Sequence, residues 1–310
     1  MPRPFRFAVQ VSTASTGREW REKARRVEGL GYSTLYMPDH FGEQWGPVVG
    51  LTVAAEATEA LKVGALVFDN DYRHPVVLAR EMATLDLATE GRVEFGLGAG
   101  WMKTDYDQSG IPYDEPKVRV DRFEEGLSLI RSLWRDTTVD FDGTHYKLTG
   151  AQGHPRPHTP GGPPIVVGGG GKRVLSIAAR EADIVGVNPN LKAGYVGPEV
   201  ADSAKGDRYL QRLEWVRDAA GPRFDQLELQ VLTFFVQFTD NSTKAYEDMA
   251  PLFGLTPDEA RRVPVALAGT VDEMCETLRQ RREEYGLSYV VVQEPSMEEF
   301  AAVVAKLDGT

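Results

Sequence analysis

The segment PIVVGGGGKRVLSIAAREADIVGV, residues 164–187, contains a strand, a helix and a second strand in immediate succession. Ile165–Val167 is short, apolar and rich in β-branched residues, as is typical of a buried strand. Lys172–Arg180 has the apolar spacing of a helix, and Asp183–Val187 is again strand-like. Repetition of such a β–α unit indicates a parallel sheet.

The same alternation extends in both directions along the chain. Helical patterns separate eight strand candidates, which are Phe5–Val11, Ser33–Met37, Lys62–Phe68, Arg92–Leu97, Ile165–Val167, Asp183–Val187, Leu227–Phe238 and Ser288–Gln293. Eight β–α units predict closure into a (β/α)8 TIM barrel of the α/β class. A doubly wound open sheet is the alternative.

Three segments interrupt the alternation. Thr138–Leu148 alternates around Asp142-Gly143, which predicts a β-hairpin. The proline-rich stretch Gly153–Pro164 joins two parts of one alternating pattern, so we interpret it as a loop rather than a domain boundary. Asn188–Gly206 has weak periodicity, which indicates a lid-like insertion. We therefore expect a single domain over residues 1–310, with an insertion at about 188–206.

Composition limits the classes of function. The 310 residues include 35 Lys and Arg against 46 Asp and Glu, a net charge of −11. An acidic surface of this kind disfavours nucleic acid and anionic membranes as partners. Cys275 is the only cysteine, so we predict neither an internal disulfide nor a cysteine metal cluster. Since we find neither a membrane-spanning apolar run nor a signal peptide pattern, we expect a cytoplasmic protein.

Functional side chains of such a barrel lie at the carboxyl ends of its strands. Asp39-His40-Phe41 follows the second strand, where a histidine can donate or accept a proton. A histidine that is merely hydrogen-bonded in a loop is the alternative. Phe68–His74 ends the third strand with several acidic and polar side chains. The other histidines are poorly placed to complete a ligand set, so no metal site is predicted.

Two glycine clusters also follow strands. Gly96–Gly100 ends the fourth strand, and Gly168–Gly171 leads from a strand into a helix. Glycines let backbone amides approach an anion closely, and a helix N-terminus favours negative charge. Lys172 and Arg173 add positive charge beside the second cluster. Together the clusters indicate a phosphorylated cofactor, although a plain tight turn also explains Gly168–Gly171.

Several short motifs occur in a fixed order along nearly the whole chain, namely Asp39-His40-Phe41, Arg73-His74-Pro75, Ala83–Asp86, Gly96–Trp101, Arg122-Phe123, Pro164–Gly171 and Gly269-Thr270. In this order they resemble the bacterial luciferase-like superfamily, and most closely its branch that uses coenzyme F-420. This coenzyme is a deazaflavin, a flavin analogue that carries hydride only. The resemblance implies a (β/α)8 barrel, a homodimer and a lid formed by the insertion.

The resemblance also implies which residues bind the cofactor: Asp39, Leu66, Val67, Asp69, Gly98, Ala99, Gly100, Thr104, Gly168, Gly169, Gly170 and Gly171. Asp39 and His40 would lie beside the ring system, and Asp69 would face its polar edge. Leu66-Val67 matches a bulge with a non-proline cis peptide behind the ring. The residues from Gly98 to Thr104 would bind the ribityl or phosphate region, and the Gly168–Gly171 loop would bind the phosphate.

The chain departs from one group within this branch. The sugar-phosphate dehydrogenases have a glutamate where this chain has Trp101, and an acidic residue where it has Ala14. Because both acids are missing, the sequence is more similar to the family's reductases and uncharacterised oxidoreductases. His40 is retained and matches the proton-transfer histidine of the alcohol- and sugar-oxidising members. Trp45 lies near the position of their aromatic pocket residue.

The resemblance therefore predicts a coenzyme F-420-dependent oxidoreductase that transfers hydride between the deazaflavin and a small organic substrate. His40 would be the proton donor or acceptor, tuned by its neighbour Asp39. An FMN-dependent monooxygenase and a non-catalytic flavin-binding protein are the alternatives. Trp45, Trp101 and Tyr195 give the predicted substrate pocket an aromatic rim, which suits an apolar or ring-bearing substrate. The same side chains could instead pack a lid or a dimer interface.

Overall fold

The computed structural model of the chain describes residues 3–195 and 198–310. Its strands are β1 Arg6–Gln10, β2 Thr34–Met37, β3 Lys62–Ala65, β4 Phe68–Asp69, β5 Val93–Gly98, β6 Thr138–Asp142, β7 Lys147–Gln152, β8 Ile165–Gly169, β9 Ile184–Val187, β10 Glu228–Thr233, β11 Phe235–Phe238, β12 Ala266–Gly269 and β13 Leu287–Gln293. Its helices are α1 Gly17–Gly29, α2 Pro47–Glu56, α3 Pro75–Ala88, α4 Lys103–Ser109, α5 Pro116–Arg135, α6 Lys172–Glu181, α7 Pro198–Ser203, α8 Gly206–Ala220, α9 Ser242–Met249, α10 Pro257–Arg261, α11 Val271–Tyr285 and α12 Met297–Leu307.

Eight parallel strands close into a barrel. The hydrogen-bonded order runs β1, β2, β3, β5, β8, β9, β10 and β13, and β13 pairs back with β1. The short β4 adds to the carboxyl end of β5. These eight strands are the ones that the sequence predicts, so the prediction of a TIM barrel is confirmed. None of the helices in the described part of the chain is long and apolar enough to cross a membrane.

Local signals position several helices as expected. Pro75 occupies the first turn of α3, and His74 caps that helix by accepting the Val76 amide hydrogen. Thr270 and Glu273 form a capping box at the start of α11, which ends at Gly286 with φ of 74°. Cys275 is buried within this helix. These short-range signals explain why the helix boundaries can be predicted closely.

The amino-terminal half of the barrel interior is filled by side chains. Buried Glu94 accepts hydrogen bonds from Tyr36, Tyr289 (2.9 Å) and Arg6 (2.5 Å). The Arg6 guanidinium also pairs with Glu228 and stacks over the Tyr289 ring. Packing at this end leaves the carboxyl ends of the strands as the accessible face of the barrel, in agreement with the general position of TIM-barrel sites.

The prediction of one continuous strand over Leu227–Phe238 is wrong. The strand leaves the barrel after Thr233, because the amides of Phe234 and Phe235 both donate to the Val265 carbonyl. Residues Phe235–Phe238 then form β11, which pairs in parallel with β12 outside the barrel. Neither β12 nor the short helices α4 and α7 are among the sequence predictions. The bend depends on a tertiary hydrogen bond, so a continuous apolar pattern does not reveal it.

The hairpin and the insertion take up the chain length beyond the barrel. β6 and β7 form the predicted antiparallel hairpin, and the Glu125 carboxylate accepts three amide hydrogens from its turn. In the insertion, Gly194 accepts the Lys103 amide hydrogen at 3.2 Å. This contact places the first half of the insertion against the Trp101–Lys103 segment. Residues 196–197 of the insertion lie outside the described residues.

Candidate active site at the carboxyl end of the barrel

The floor of the barrel mouth is apolar. Leu66, Leu232 and Val291 belong to a cluster inside the barrel, above Tyr36 and Tyr289. Strand alternation makes the next interior positions on β8 and β9 glycines, Gly168 and Gly186. The Asn188 side chain packs beside both glycines, since a Cβ at Gly168 or Gly186 would lie 3.1 or 3.5 Å from its Nδ2.

A cis peptide links Leu66 and Val67, as the resemblance predicts. Gln10 donates to the Leu66 carbonyl at 3.0 Å and accepts from Gln293 at 3.0 Å, so two glutamines at the ends of β1 and β13 hold this backbone. A Cβ at Gly98 would lie 2.6 Å from the Val67 side chain. The bulge and the glycine are thus packed against each other at the mouth.

His40 reaches the mouth from the loop after β2. Its Nδ1 lies 2.6 Å from Oδ2 of Asp105, a residue of α4. The ring is half-buried and meets the edge of Trp101, with 5.8 Å between ring centroids and 88° between the planes. His40 is therefore held between a carboxylate and an aromatic side chain.

Among the described residues, the Asp39 carboxylate makes no hydrogen bond to its sequence neighbour His40. This carboxylate instead accepts two hydrogen bonds from Arg73, at 2.5 and 3.1 Å, and the Asp69 amide hydrogen at 3.0 Å. Neighbouring residues in an extended loop point their side chains in different directions, so adjacency in sequence does not give contact here. Asp39 fixes the segment after β4, and Asp105 is the carboxylate that contacts the histidine.

Asp69 is a buried carboxyl group that forms no ion pair with any of the described residues. It accepts hydrogen bonds from the Tyr106 hydroxyl (3.1 Å) and the Asp71 amide (2.9 Å). The Tyr106 hydroxyl also lies 3.0 Å from the Asp71 carboxylate, which in turn pairs with Arg122 through two nitrogens. Burial, together with the negative charges of Asp71 and Asp39, raises the pKa of Asp69 to about 7. Asp69 can therefore exchange a proton near neutral pH.

The Gly98–Thr104 segment passes over Asp69. Gly100 has φ of 70°, and a Cβ there would lie 1.9 Å from the Tyr106 hydroxyl. Arg119 of α5 donates to the Gly100 carbonyl at 2.6 Å. Only glycine fits this position, which explains the last glycine of the cluster. Ala99 is partly buried against the core, and Thr104 is exposed in the first turn of α4.

The Gly168–Gly171 loop leads from β8 into α6. A Cβ at Gly170 would lie 2.4 Å from the Pro189 carbonyl oxygen, so this glycine allows two backbone segments to approach. Arg212 of α8 is 3% exposed and donates from Nε to the Gly170 carbonyl at 3.1 Å. Its Nη1 is buried without a hydrogen-bond partner among the described residues, as is Oδ1 of Asn188.

Of the two cations predicted to add positive charge beside this loop, Lys172 and Arg173, the second is compensated by carboxylates. Arg173 pairs with Asp121 and Glu124 on α5. Lys103, beside the other glycine cluster, likewise pairs with Asp107 one turn along α4. Lys172 has no ion-pairing partner among the described residues, and the buried Arg212 has one nitrogen, Nη1, without a hydrogen-bond partner there. Sequence inspection misses Arg212 because it lies in the middle of an ordinary amphipathic helix.

Of the three aromatic residues predicted to form the rim of the substrate pocket, Trp101 is the one that contacts His40. Trp101 borders His40, whereas Trp45 stacks on the buried Trp20 at 5.1 Å and donates to the Ala14 carbonyl at 3.0 Å. Tyr195, in the first half of the insertion, is exposed. Phe234, where β10 leaves the barrel, is a further exposed aromatic residue at this end.

Comparison with known proteins agrees with this architecture. An F420-dependent glucose-6-phosphate dehydrogenase of Amycolatopsis mediterranei is 32% identical over 174 residues, which are 54% of this chain and 52% of that protein. The chain thus matches about half the length of that relative. An enzyme of the same name from Kribbella flavida is 29% identical over 279 residues, covering 84% of this chain and 78% of that one.

A solved structure gives the same fold at lower identity. The coenzyme F420 dependent tetrahydromethanopterin reductase from Methanopyrus kandleri superposes with a TM-score of 0.77 at 18% identity, covering 98% of each chain. The family model described as luciferase-like monooxygenase matches residues 3–289. The chain therefore belongs to the luciferase-like monooxygenase family.

Proposed function

We propose that this protein is a coenzyme F-420-dependent oxidoreductase that transfers hydride between the deazaflavin and a small organic substrate. The observation that carries the proposal is His40, which is held at the barrel mouth between Asp105 and Trp101. Its second ring nitrogen, Nε2, makes no hydrogen bond in the described part of the chain. The names of the two dehydrogenase relatives and of the superposed reductase support the choice of cofactor.

The residues present fit such a cofactor. The Asn188 side chain lies beside the interior glycines of β8 and β9, and its Oδ1, buried without a hydrogen-bond partner among the described residues, offers a polar contact to such a cofactor. The start of α6 and Nη1 of Arg212, which has no hydrogen-bond partner in the part of the chain that the structure describes, offer positive charge for a phosphate. When bound, the deazaflavin would supply the hydride chemistry at its C5. The protein would orient the ring, exclude water and supply the proton.

In this proposal Asp69 faces the polar edge of the ring, and the cis Leu66-Val67 segment lies behind it. Gly98, Ala99, Gly100 and Thr104 contact the chain that leads to the phosphate. The Gly168–Gly171 loop binds the phosphate itself. The first half of the insertion, which contacts the Trp101–Lys103 segment, acts as a lid over the ring.

The cofactor is tested first by titration. We expect fluorescence quenching to give saturable binding of coenzyme F-420 and weaker binding of FMN. The bound protein should then be mixed with secondary alcohols, cyclic ketones and aromatic aldehydes, each in its proper redox direction. Tight FMN binding with none for the deazaflavin would favour the monooxygenase alternative, and binding without turnover of any substrate would favour a non-catalytic flavin-binding protein.

We propose that the substrate is apolar or ring-bearing. Trp101 stands beside His40, and Ala14 is a small apolar side chain at the rim of the core. A sugar phosphate requires polar and charged partners, which these two positions do not offer. In the same panel, glucose 6-phosphate is therefore expected to react far more slowly than cyclic ketones.

Arg212 provides a specific test of the phosphate site. Replacing it with methionine removes a charge-assisted contact, so the Kd for coenzyme F-420 should rise by about tenfold to a hundredfold. The Kd for the deazariboflavin chromophore, which lacks the phosphate, should stay nearly constant. Arg208→Met, an exposed position on the same helix, is the matched control. An equal loss for both ligands would place Arg212 outside the phosphate site.

We also propose a homodimer formed through α2 and α3, which follow successive barrel strands. Val49 on α2 is 67% exposed and Val77 on α3 is 51% exposed. Oε2 of Glu81, on α3, is buried without a hydrogen-bond partner among the described residues. Light scattering after gel filtration should give twice the chain mass, and the double variant Val49→Glu with Val77→Glu should give the chain mass. Val118→Glu on α5 is the control, and an unchanged mass in the double variant would reject this interface.

A further inference from the structure

We propose that Asp105 is the positioning residue for His40: it selects the tautomer that leaves Nε2 free to exchange a proton with the substrate. The inference rests on the proposed function for its catalytic consequence, but the tautomer itself can be measured without a substrate. It names a residue to which neither the family resemblance nor any sequence motif assigns a role.

The Asp105 carboxylate is fixed from three sides. Oδ2 lies 2.6 Å from Nδ1 of His40 and accepts the Tyr72 hydroxyl hydrogen at 3.2 Å. Oδ1 accepts the Phe41 amide hydrogen at 3.3 Å. The side chain is 4% exposed, so water competes little for these contacts. The loops after β2 and β4 are thus joined to α4 through one carboxylate.

The negative charge of Asp105 faces His40 and is not balanced by a lysine or arginine in the described residues. Among the residues that the structure describes, His40 is its ion-pairing partner, and no lysine or arginine pairs with it. Asp39, by contrast, is committed to Arg73. A cation close to Asp105 would compensate its charge and weaken its effect on the imidazole ring, and that cation is missing from the described surroundings.

The chemistry of the pair follows from its geometry. An ionised carboxylate can only accept a hydrogen bond, so the hydrogen of the neutral ring lies on Nδ1. Nε2 then carries the lone pair that takes a proton from a substrate hydroxyl. The imidazolium that forms is stabilised by the buried negative charge beside it. Trp101, on the other side, limits rotation of the ring.

Nitrogen NMR of the 15N-labelled protein tests the assignment directly. The His40 side-chain signals are identified by their loss in His40→Ala, and their shifts report which nitrogen carries the hydrogen. We expect the Nδ1-protonated tautomer in the unmodified protein. In Asp105→Asn, whose amide can donate to Nδ1, we expect the Nε2-protonated tautomer. Asp107→Asn is the matched control, since Asp107 lies on the same helix, is exposed and pairs with Lys103.

The kinetic consequence is a loss in kcat rather than in binding. With any substrate found in the panel, Asp105→Asn should lower kcat by about 10²–10³-fold, and the Kd for coenzyme F-420 should change by less than about threefold. An Nε2-protonated His40 in the unmodified protein would overturn the proposal, and this measurement needs no variant to fold. An unchanged tautomer in Asp105→Asn would overturn it too. A switched tautomer, combined with full activity of His40→Ala, would support the positioning and refute the catalytic role of His40.

Discussion

Replacing His40 by alanine is expected to slow hydride transfer by about 10²–10⁴-fold while the Kd for coenzyme F-420 stays within about threefold. When a hydride leaves a carbon that bears a hydroxyl group, the hydroxyl proton must pass to a base, and in the reverse direction an acid must return it. His40 places an imidazole ring at the barrel mouth, with Nδ1 hydrogen-bonded to Asp105. Anaerobic stopped-flow absorbance of the deazaflavin measures this step.

His74 serves as a matched control, which distinguishes a role of His40 in the chemistry from a general loss of structure. His74 caps α3 by accepting the Val76 amide hydrogen, so His74→Ala should cost about 1 kcal/mol of stability and leave the hydride transfer rate unchanged. A His40→Ala protein with the same transfer rate as the unmodified protein would remove His40 from the chemistry. A rate loss that follows a loss of cofactor binding would mean that His40 supports the ring instead.

The barrel could be predicted from the sequence because its signals are local. Eight apolar strand segments, the proline of α3 and the capping box of α11 each act over a few residues. Each is found where the sequence indicates, except that the segment Leu227–Phe238 divides into β10 and β11. The cis peptide at Leu66-Val67 is different: propensity gives no sign of it, and it could be predicted only through the family resemblance.

The candidate site is harder to predict because its contacts are distant in sequence. His40 and Asp105 are 65 positions apart, and Asp105 lies on a short helix that periodicity does not indicate. Proximity in sequence favours Asp39 as the partner of His40, but the Asp39 carboxylate pairs with Arg73, 34 positions away. The bend after Thr233 likewise depends on the Val265 carbonyl. Side-chain direction within loops is set by tertiary contacts that no local pattern contains.

The second large effect concerns stability rather than rate: Asp69→Asn is expected to stabilise the protein at alkaline pH. The Tyr106 hydroxyl has one hydrogen and lies within hydrogen-bond distance of both Asp69 and Asp71. Asp71 has Arg122 to balance its charge, whereas Asp69 pairs with no lysine or arginine within residues 3–195 and 198–310. Ionised Asp69 is therefore a buried, uncompensated charge, and burial together with Asp71 and Asp39 raises its pKa from 3.8 to about 7.

The sign of the pH dependence follows from this shift. Well below pH 3.8 Asp69 is protonated in both the folded and the unfolded chain, and its favourable contribution is fully present. As the pH rises, the unfolded chain releases the proton first, so stability is lost progressively until the folded protein also ionises above pH 7. The full loss is about 4 kcal/mol, of which about 2–3 kcal/mol falls between pH 5 and pH 8.5. Asparagine keeps an acceptor oxygen and has no proton to lose.

Urea unfolding at pH 5 and at pH 8.5 tests this expectation. The free-energy gain of Asp69→Asn over the unmodified protein should be larger at pH 8.5 by about 2–3 kcal/mol. Asp71→Asn should instead destabilise the protein at both pH values, because it leaves Arg122 without its two-nitrogen contact. A gain that does not change with pH would mean that Asp69 is ionised and compensated in the folded protein. Asp69 lowers the stability of the folded protein at neutral pH, and a residue that is unfavourable for folding is typical of a ligand-binding site. We therefore expect the stabilised Asp69→Asn protein to bind coenzyme F-420 more weakly.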